Sequence, residues 1–307
     1  MLKVVSVSLG SPTRNKKVET EINGQPISIE RIGTGGDEKL ARRLFRELDG
    51  TVDVLTVGGM DLAIHIEDRV YPIHAAQKLV QDVKHTPVVD GNNLKYVMER
   101  RVLELAEPEY GPFPHFKRVF IPSAIDRIGL AETMTAISDE VVIGDLMLIL
   151  GLPLPVVGIE RFKRIAHRLM PIMGWLPLSA INPPGSKDEA CQPKHAHIWE
   201  SADCIAGDML YIRKYSPARL NAKLVITNTT TEENIELLRQ KGVPCVITLS
   251  PRFDGRSFGT NVIEGVLTAL AGKGRPLTRP ELNQVIDQVQ LKPTVLVLNP
   301  SSVTRET

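Results

Sequence analysis

The sequence predicts an α/β protein: a Rossmann-like, doubly wound parallel sheet in the C-terminal part, preceded by a smaller α/β domain with hairpins. Three observations predict it. Residues 116–150 run from an apolar stretch (119–121) through the small residues Ser123 and Ala124 and a helical pattern (128–137) to a second apolar stretch (141–143), which is a strand, helix, strand unit. Apolar runs at 224–227 and 243–248 then alternate with helical patterns, and parallel neighbours need such crossovers. In the N-terminal part, Asn23-Gly24 and Glu67-Asp68 separate pairs of apolar runs, as hairpin turns do.

At 307 residues the chain exceeds most single cores, and two domains are expected, 1–110 and 116–307. The stretch 107–115, rich in Pro and Gly, is their linker.

In order, residues 2–9 alternate, carry β-branched side chains and stop at Gly10-Ser11-Pro12, which gives a first strand. Runs 18–22 and 27–32 form the hairpin around Asn23-Gly24. Asp37 caps a helix whose Leu40, Leu44, Phe45 and Leu48 recur at helical spacing until Gly50 ends it. A strand at 52–57, a hairpin of 62–66 with 69–73, a helix at 75–83, an extended piece at 86–89 and a helix at 94–105 complete the first domain. In the second domain 158–173 is an amphipathic helix ended by Pro171 and Gly174, and 177–196, with weak periodicity, reads as a long loop or lid. Thr231 caps a helix to 239, and a further helix covers 260–270.

Residues with usable chemistry gather at strand ends. Asp145 follows the second strand of the 116–150 unit, where a carboxylate meets ribose hydroxyls, and a helix cap is the plain alternative. With Ser123, Asp126, Asn228 and Thr229 it is a candidate cofactor-binding set. Asp126 stands in the turn where a pyrophosphate would lie and repels it, and that turn has no close-approach glycines. Gly255, Arg256, Ser257, Gly259 and Thr260 form a candidate anion site, because glycines let amides turn inward and the following helix adds its positive end. Lys95 with Asp61 or Asp90 supplies candidate acid/base groups. The spacing of Cys191, His195, His197 and Cys204 fits no closed zinc geometry, so no metal is expected.

A net charge of +1 and no long basic run offer no attraction for nucleic acid, and no stretch reaches the ~18 apolar residues of a membrane span. Three cysteines suit a reducing compartment, and the expectation is a cytoplasmic protein with a small-molecule partner, a homo-oligomer being left open. P-loop and H-E-x-x-H motifs are missing.

The stretches 6–15, 116–155 and 203–272, with the phrases VVSVSLGS, GDLMLILGLPLP, IAGDMLYIRKY and GRSFGTNVIEG, resemble a bacterial family labelled quinate or shikimate 5-dehydrogenase, and the resemblance covers most of the chain. It implies an NAD(P)-dependent reductase of a hydroxylated carboxylate that binds its ligand between two domains. Shikimate dehydrogenases carry a Lys and Asp catalytic pair, for which Lys95 stands with Asp61 or Asp90, and a Ser-x-Ser-Pro motif, echoed by Ser8-Leu9-Gly10-Ser11-Pro12. Their glycine-rich cofactor turn is missing here. A transferase using a nucleoside cofactor such as S-adenosylmethionine, and a non-enzymatic ligand sensor, are the alternatives.

Overall fold

The computed structural model describes residues 1–22, 24–177, 191–250, 252–253, 256–257 and 259–299. The chain forms two compact units, each with its own sheet. The first comprises Met1–Val97, the described residues of Arg168–Pro184, and Gly259–Leu291.

Strand β1 (Leu2–Ser8) lies inside the first unit's sheet. On one side β3 (Gln25–Gly33) runs parallel to it and β2 (Lys16–Ile22) antiparallel to β3; on the other, β4 (Val54–Gly58) and then β7 (Val88–Val89) run parallel. β5 (Ala63–Ile66) and β6 (Arg69–Pro72) form a separate hairpin, with Glu67 at positive φ in its turn. Helix Glu38–Leu48 begins where Asp37 accepts the Leu40 N–H at 2.9 Å, so the expected cap is present. Helix Thr260–Ala271 packs on β1 and β4. It buries side chains on nearly all sides, among them Val262, Ile263, Val266, Leu267 and Ala269. It lies so close that a β-carbon at Gly265 would stand 2.5 Å from the Thr56 methyl.

The second unit comprises Met98–His167, the described residues of Gly185–Phe258, and those that follow Lys292. Its sheet contains β8 (Phe116–Ile121), with parallel β9 (Ser138–Ile143) and antiparallel β10 (Val156–Val157) on one side. On the other side β11 (Cys204–Gly207), β12 (Leu224–Thr227) and β13 (Cys245–Thr248) run parallel, and β16 (Thr294–Val297) closes the edge antiparallel. β14 (Arg252–Phe253) and β15 (Arg256–Ser257) form a small ladder. Phe120, Trp199, Ile205, Ile212, Val225, Leu238 and Val246 belong to one apolar core, with Trp199 edge-on to Phe120 at 4.7 Å.

The predicted fold class holds: both units are mixed α/β, built on parallel strands. Their strand orders share one feature. The parallel strands run β3-β1-β4-β7 in the first unit and β9-β8-β11-β12-β13 in the second, so in each the order reverses direction beside the first strand. Such reversal points open a crevice at the carboxyl ends of the strands, where ligands bind in open α/β sheets.

Three expectations are corrected. The units are not the contiguous halves 1–110 and 116–307: residues 259–291 return to the first unit, because their apolar helix is the layer that covers β1 and β4. The division falls inside helices Asn92–Arg100 and Ile159–Met173, and the supposed linker begins inside helix Val102–Tyr110. The helix expected at 94–105 is thus two helices. Most of the loop expected at 177–196 lies outside the described residues.

Candidate functional site

In the first unit, β4 is buried throughout and delivers Gly58-Gly59-Met60-Asp61 to the carboxyl edge of the sheet. β7 delivers Asp90-Gly91 beside it. Gly91 has φ 92° and its backbone lies against the start of helix Thr260–Ala271; a β-carbon there would stand 2.5 Å from the Asn261 nitrogen, so only glycine fits. Asp90 accepts the Leu62 N–H at 2.7 Å on one oxygen and the Asn92 N–H at 3.0 Å on the other. That ties the β5 hairpin to the start of helix Asn92–Arg100. Lys95, one turn along, donates to Asp61 at 2.8 Å, with side-chain exposures of 11% and 21%.

The three candidate acid/base residues therefore meet. Two more groups join them that sequence reasoning missed. Glu264, 2% exposed, accepts the Leu94 N–H at 3.1 Å. Its signal was a lone carboxyl in an otherwise uncharged helix, TNVIEGVLTALA. His65, on β5, lies within electrostatic reach of Asp61, Lys95 and Arg279.

Burial pushes the Glu264 carboxyl up to about 8, against the pull of the Leu94 N–H, and Asp90 adds to the rise. Burial also raises Asp90, with Asp61 as the second cause. Burial, and then Arg279, lowers His65. Burial thus favours the protonated form of Glu264 and the neutral form of His65. The Lys95 ammonium and Asp61 then form a donor–acceptor pair at 2.8 Å that can hydrogen-bond a ligand's oxygen and exchange a proton with it.

The second unit's carboxyl edge is organised differently. Asp145, 6% exposed, accepts the Ala124 N–H at 2.7 Å and the Ile125 N–H at 3.0 Å, one on each oxygen. It holds the turn after β8 in shape. The alternative of a helix cap is corrected: the helix is Asp145–Leu148, with Gly144 before it, and the carboxylate bonds back to the turn after β8. Burial pushes the Asp145 carboxyl up to about 7, and Asp126 contributes.

Ser123 donates to Asp126 at 3.2 Å, with Asp145 at 3.5 Å as its other acceptor. Asn228 donates to Asp208 at 2.8 Å and accepts the Met209 N–H at 3.1 Å. Thr229 and Ser250 share a hydroxyl contact at 3.3 Å. The five candidate cofactor residues thus do gather at one sheet edge, Ser123 bonding Asp126 and Asp145 while Asn228 and Thr229 bond Asp208 and Ser250. At the centre is Arg127, unremarked in the sequence, 6% exposed and clamped by Glu99 at 3.2 Å and Asp208 at 2.7 Å, with Asp126 at 3.7 Å. Those carboxylates raise its pKa despite burial.

The candidate anion loop falls largely outside the described residues: Gly255 is not described, and nothing is known of the Arg256 and Ser257 side chains in β15. Gly259 precedes helix Thr260–Ala271 with φ −61°, so it uses no left-handed conformation. Among the described residues no group of three or more His, Cys, Asp or Glu could hold a metal ion. No described helix is long and apolar enough to cross a membrane.

Fold and site together define a two-unit α/β protein with a polar carboxyl edge on each sheet. The chain belongs to the family described as a domain of unknown function, DUF8754, whose model matches residues 93–298, and a second such model, DUF8753, matches residues 3–90. No curated protein matches. Among solved structures the chain is similar to a galactofuranose binding protein at 11% identity, covering 98% of this chain and 96% of that one, with a TM-score of 0.37. It is also similar to an ABC transporter solute binding protein from Agrobacterium vitis bound with α-D-tagatopyranose, at 10% identity, 100% and 97% coverage, and a TM-score of 0.35. A glucose-galactose binding protein from Geobacillus stearothermophilus matches at 9% identity, 99% coverage of both chains, and a TM-score of 0.34. A likeness of this degree assigns no ligand and no site.

Proposed function

We propose that the protein binds a small, hydroxylated molecule at the carboxyl edge of the first unit's sheet, and that Lys95 and Asp61 exchange a proton with it. The observation that carries this reading is the Lys95–Asp61 pair itself: 2.8 Å apart, little exposed, and set among carboxyl groups whose pKa values burial has raised. Perturbed titratable groups of this kind concentrate at functional sites. Lys95 would donate to a hydroxyl or carbonyl oxygen while Asp61 accepts the hydroxyl proton.

The resemblance to dehydrogenases makes reduction with NAD(P)H one form of this chemistry. The second unit's turn favours a binding protein or a cofactor-free reaction instead. Its Asp145 is taken up by backbone N–H groups, and Asp126, Asp208 and Glu99 oppose a pyrophosphate there.

The test is calorimetric titration with polyols and hydroxylated carboxylates, with and without NAD(P)H or S-adenosylmethionine, in buffers of different ionisation enthalpy. Wild type should bind a hydroxylated compound with a buffer-dependent heat that reports proton exchange. Lys95→Met should weaken that binding by at least about tenfold, the scale of one charged hydrogen bond. Unchanged affinity in both Lys95→Met and Asp61→Asn would sink the reading.

A further inference from the structure

We propose that Arg14 and Arg31 form an oxyanion-binding site at the carboxyl end of β1, which holds a phosphate or carboxylate group of the molecule proposed above. The inference rests on that reading only in giving both groups to one ligand.

The two guanidinium groups converge on one point. Arg14 Nη2 lies 2.7 Å, and Arg31 Nη2 2.9 Å, from the place a β-carbon on Gly10 would occupy. Gly10 has no positive φ to require glycine, so the space beside the arginines is what an added side chain would fill. Arg31 is fixed by neutral acceptors alone, the Ser8 hydroxyl at 3.0 Å and the Ser11 carbonyl at 3.2 Å. Ser8 is itself held by the Gly10 N–H at 3.1 Å. Among the described residues no carboxylate pairs with either arginine.

Two like charges held together without a counter-charge repel, and an anion between them removes that cost. Burial, and then Arg14, already lowers the pKa of Arg31. Guanidinium forks match the paired oxygens of phosphate and carboxylate. The location agrees, since β1 and β4 flank the point where the strand order reverses. The Ser8 hydroxyl would lie 3.6 Å from a β-carbon on Gly59, and Asp61 follows two residues later, so the arginines and the Lys95–Asp61 pair share one sheet edge.

The experiment is calorimetry with inorganic phosphate and, separately, citrate, and phosphorus NMR with the phosphate, on wild type and the R31Q, G10V and R213Q variants, each checked for folding by circular dichroism. Wild type should bind one anion with an affinity that falls as salt rises. R31Q should lose at least about tenfold and G10V more, while R213Q, which removes a partly exposed arginine of the second unit, should stay within about twofold. Tighter citrate than phosphate assigns a carboxylate ligand, and the reverse a phosphate. No anion binding in wild type, or equal binding in folded R31Q and G10V, overturns the proposal. Phosphate binding is read without a hydroxylated ligand and without altering Lys95 or Asp61, so failure of the proton-exchange reading leaves this result standing.

Discussion

The two sheet edges have the same origin and opposite characters. Each lies at the carboxyl ends of parallel strands whose order reverses beside the first strand, and each gathers several carboxyl groups around one cation. In the second unit the cation is Arg127, gripped by Glu99 and Asp208 and nearly sealed from solvent, while the turn after β8 hangs on Asp145. In the first unit it is Lys95, paired with Asp61 and still partly exposed. Arginine stays charged under any burial and fills several acceptors at once, which suits a structural clamp; lysine can shift its pKa and release a proton, which suits chemistry. The same topology has produced a sealed clamp in one unit and a partly exposed ion pair in the other.

The largest effect should come from breaking the clamp. Arg127→Met leaves Glu99 and Asp208 as buried carboxylates without a counter-charge, a loss of about 3–5 kcal/mol for a broken buried pair. Urea denaturation should show it as a lowered midpoint. A loss under ~1 kcal/mol, the scale of an exposed pair, would remove the contrast between the edges.

Next in size is a pH effect confined to the first unit. Glu264 rises from 4.5 to about 8 on folding, so the folded chain binds its proton more tightly than the unfolded chain does. Its stabilising contribution is complete below pH 4.5 and is lost as pH climbs through 8. Glu264→Gln keeps an acceptor for Leu94 and cannot ionise. The stability of the variant relative to wild type should therefore grow between those limits, by roughly 4 of the about 5 kcal/mol that such a rise makes in all at about 1.4 kcal/mol per pKa unit. Melts at pH 5 and pH 8.5 check it, and parallel shifts in the two proteins would place the ionisation elsewhere.

Asp145→Ala tests the second edge from the other side. It strips the Ala124 and Ile125 N–H groups of their acceptor, at about 2–3 kcal/mol for buried donors left unpaired. Affinity for any adenosine compound should not change. A selective loss of such affinity at constant stability would restore the ribose role that the bonding pattern argues against.

These contrasts explain what could be read from sequence. Strands, hairpins and caps were legible because alternation, Asn23-Gly24 and Asp37 act over a few residues. Asp61, Asp90 and Lys95 were legible as strand-end polar groups, and the structure joins them. The return of residues 259–291 to the first unit was not, since an apolar helix does not encode which sheet it will cover. Glu264 travelled with that helix and was missed with it. Asp145 was found, but its bonds to the backbone turn after β8 were not legible, because spacing cannot show which N–H groups a carboxylate will meet.

The smallest stability change is expected where the functional change is largest. Lys95→Met removes a cation from Asp61 and its neighbours, but Asp61 is 21% exposed and can be hydrated. Methionine covers the apolar stem of the lysine, and a pair of this exposure contributes about 1 kcal/mol or less. Groups held for function are commonly kept at some cost to stability, so the variant can equal or exceed wild type. Chemical denaturation should therefore place Lys95→Met within about 1 kcal/mol of wild type while ligand binding falls by at least about tenfold. A loss near that of Arg127→Met would mean that Lys95 is a fastening as well, and the two edges would then differ in residue and not in purpose.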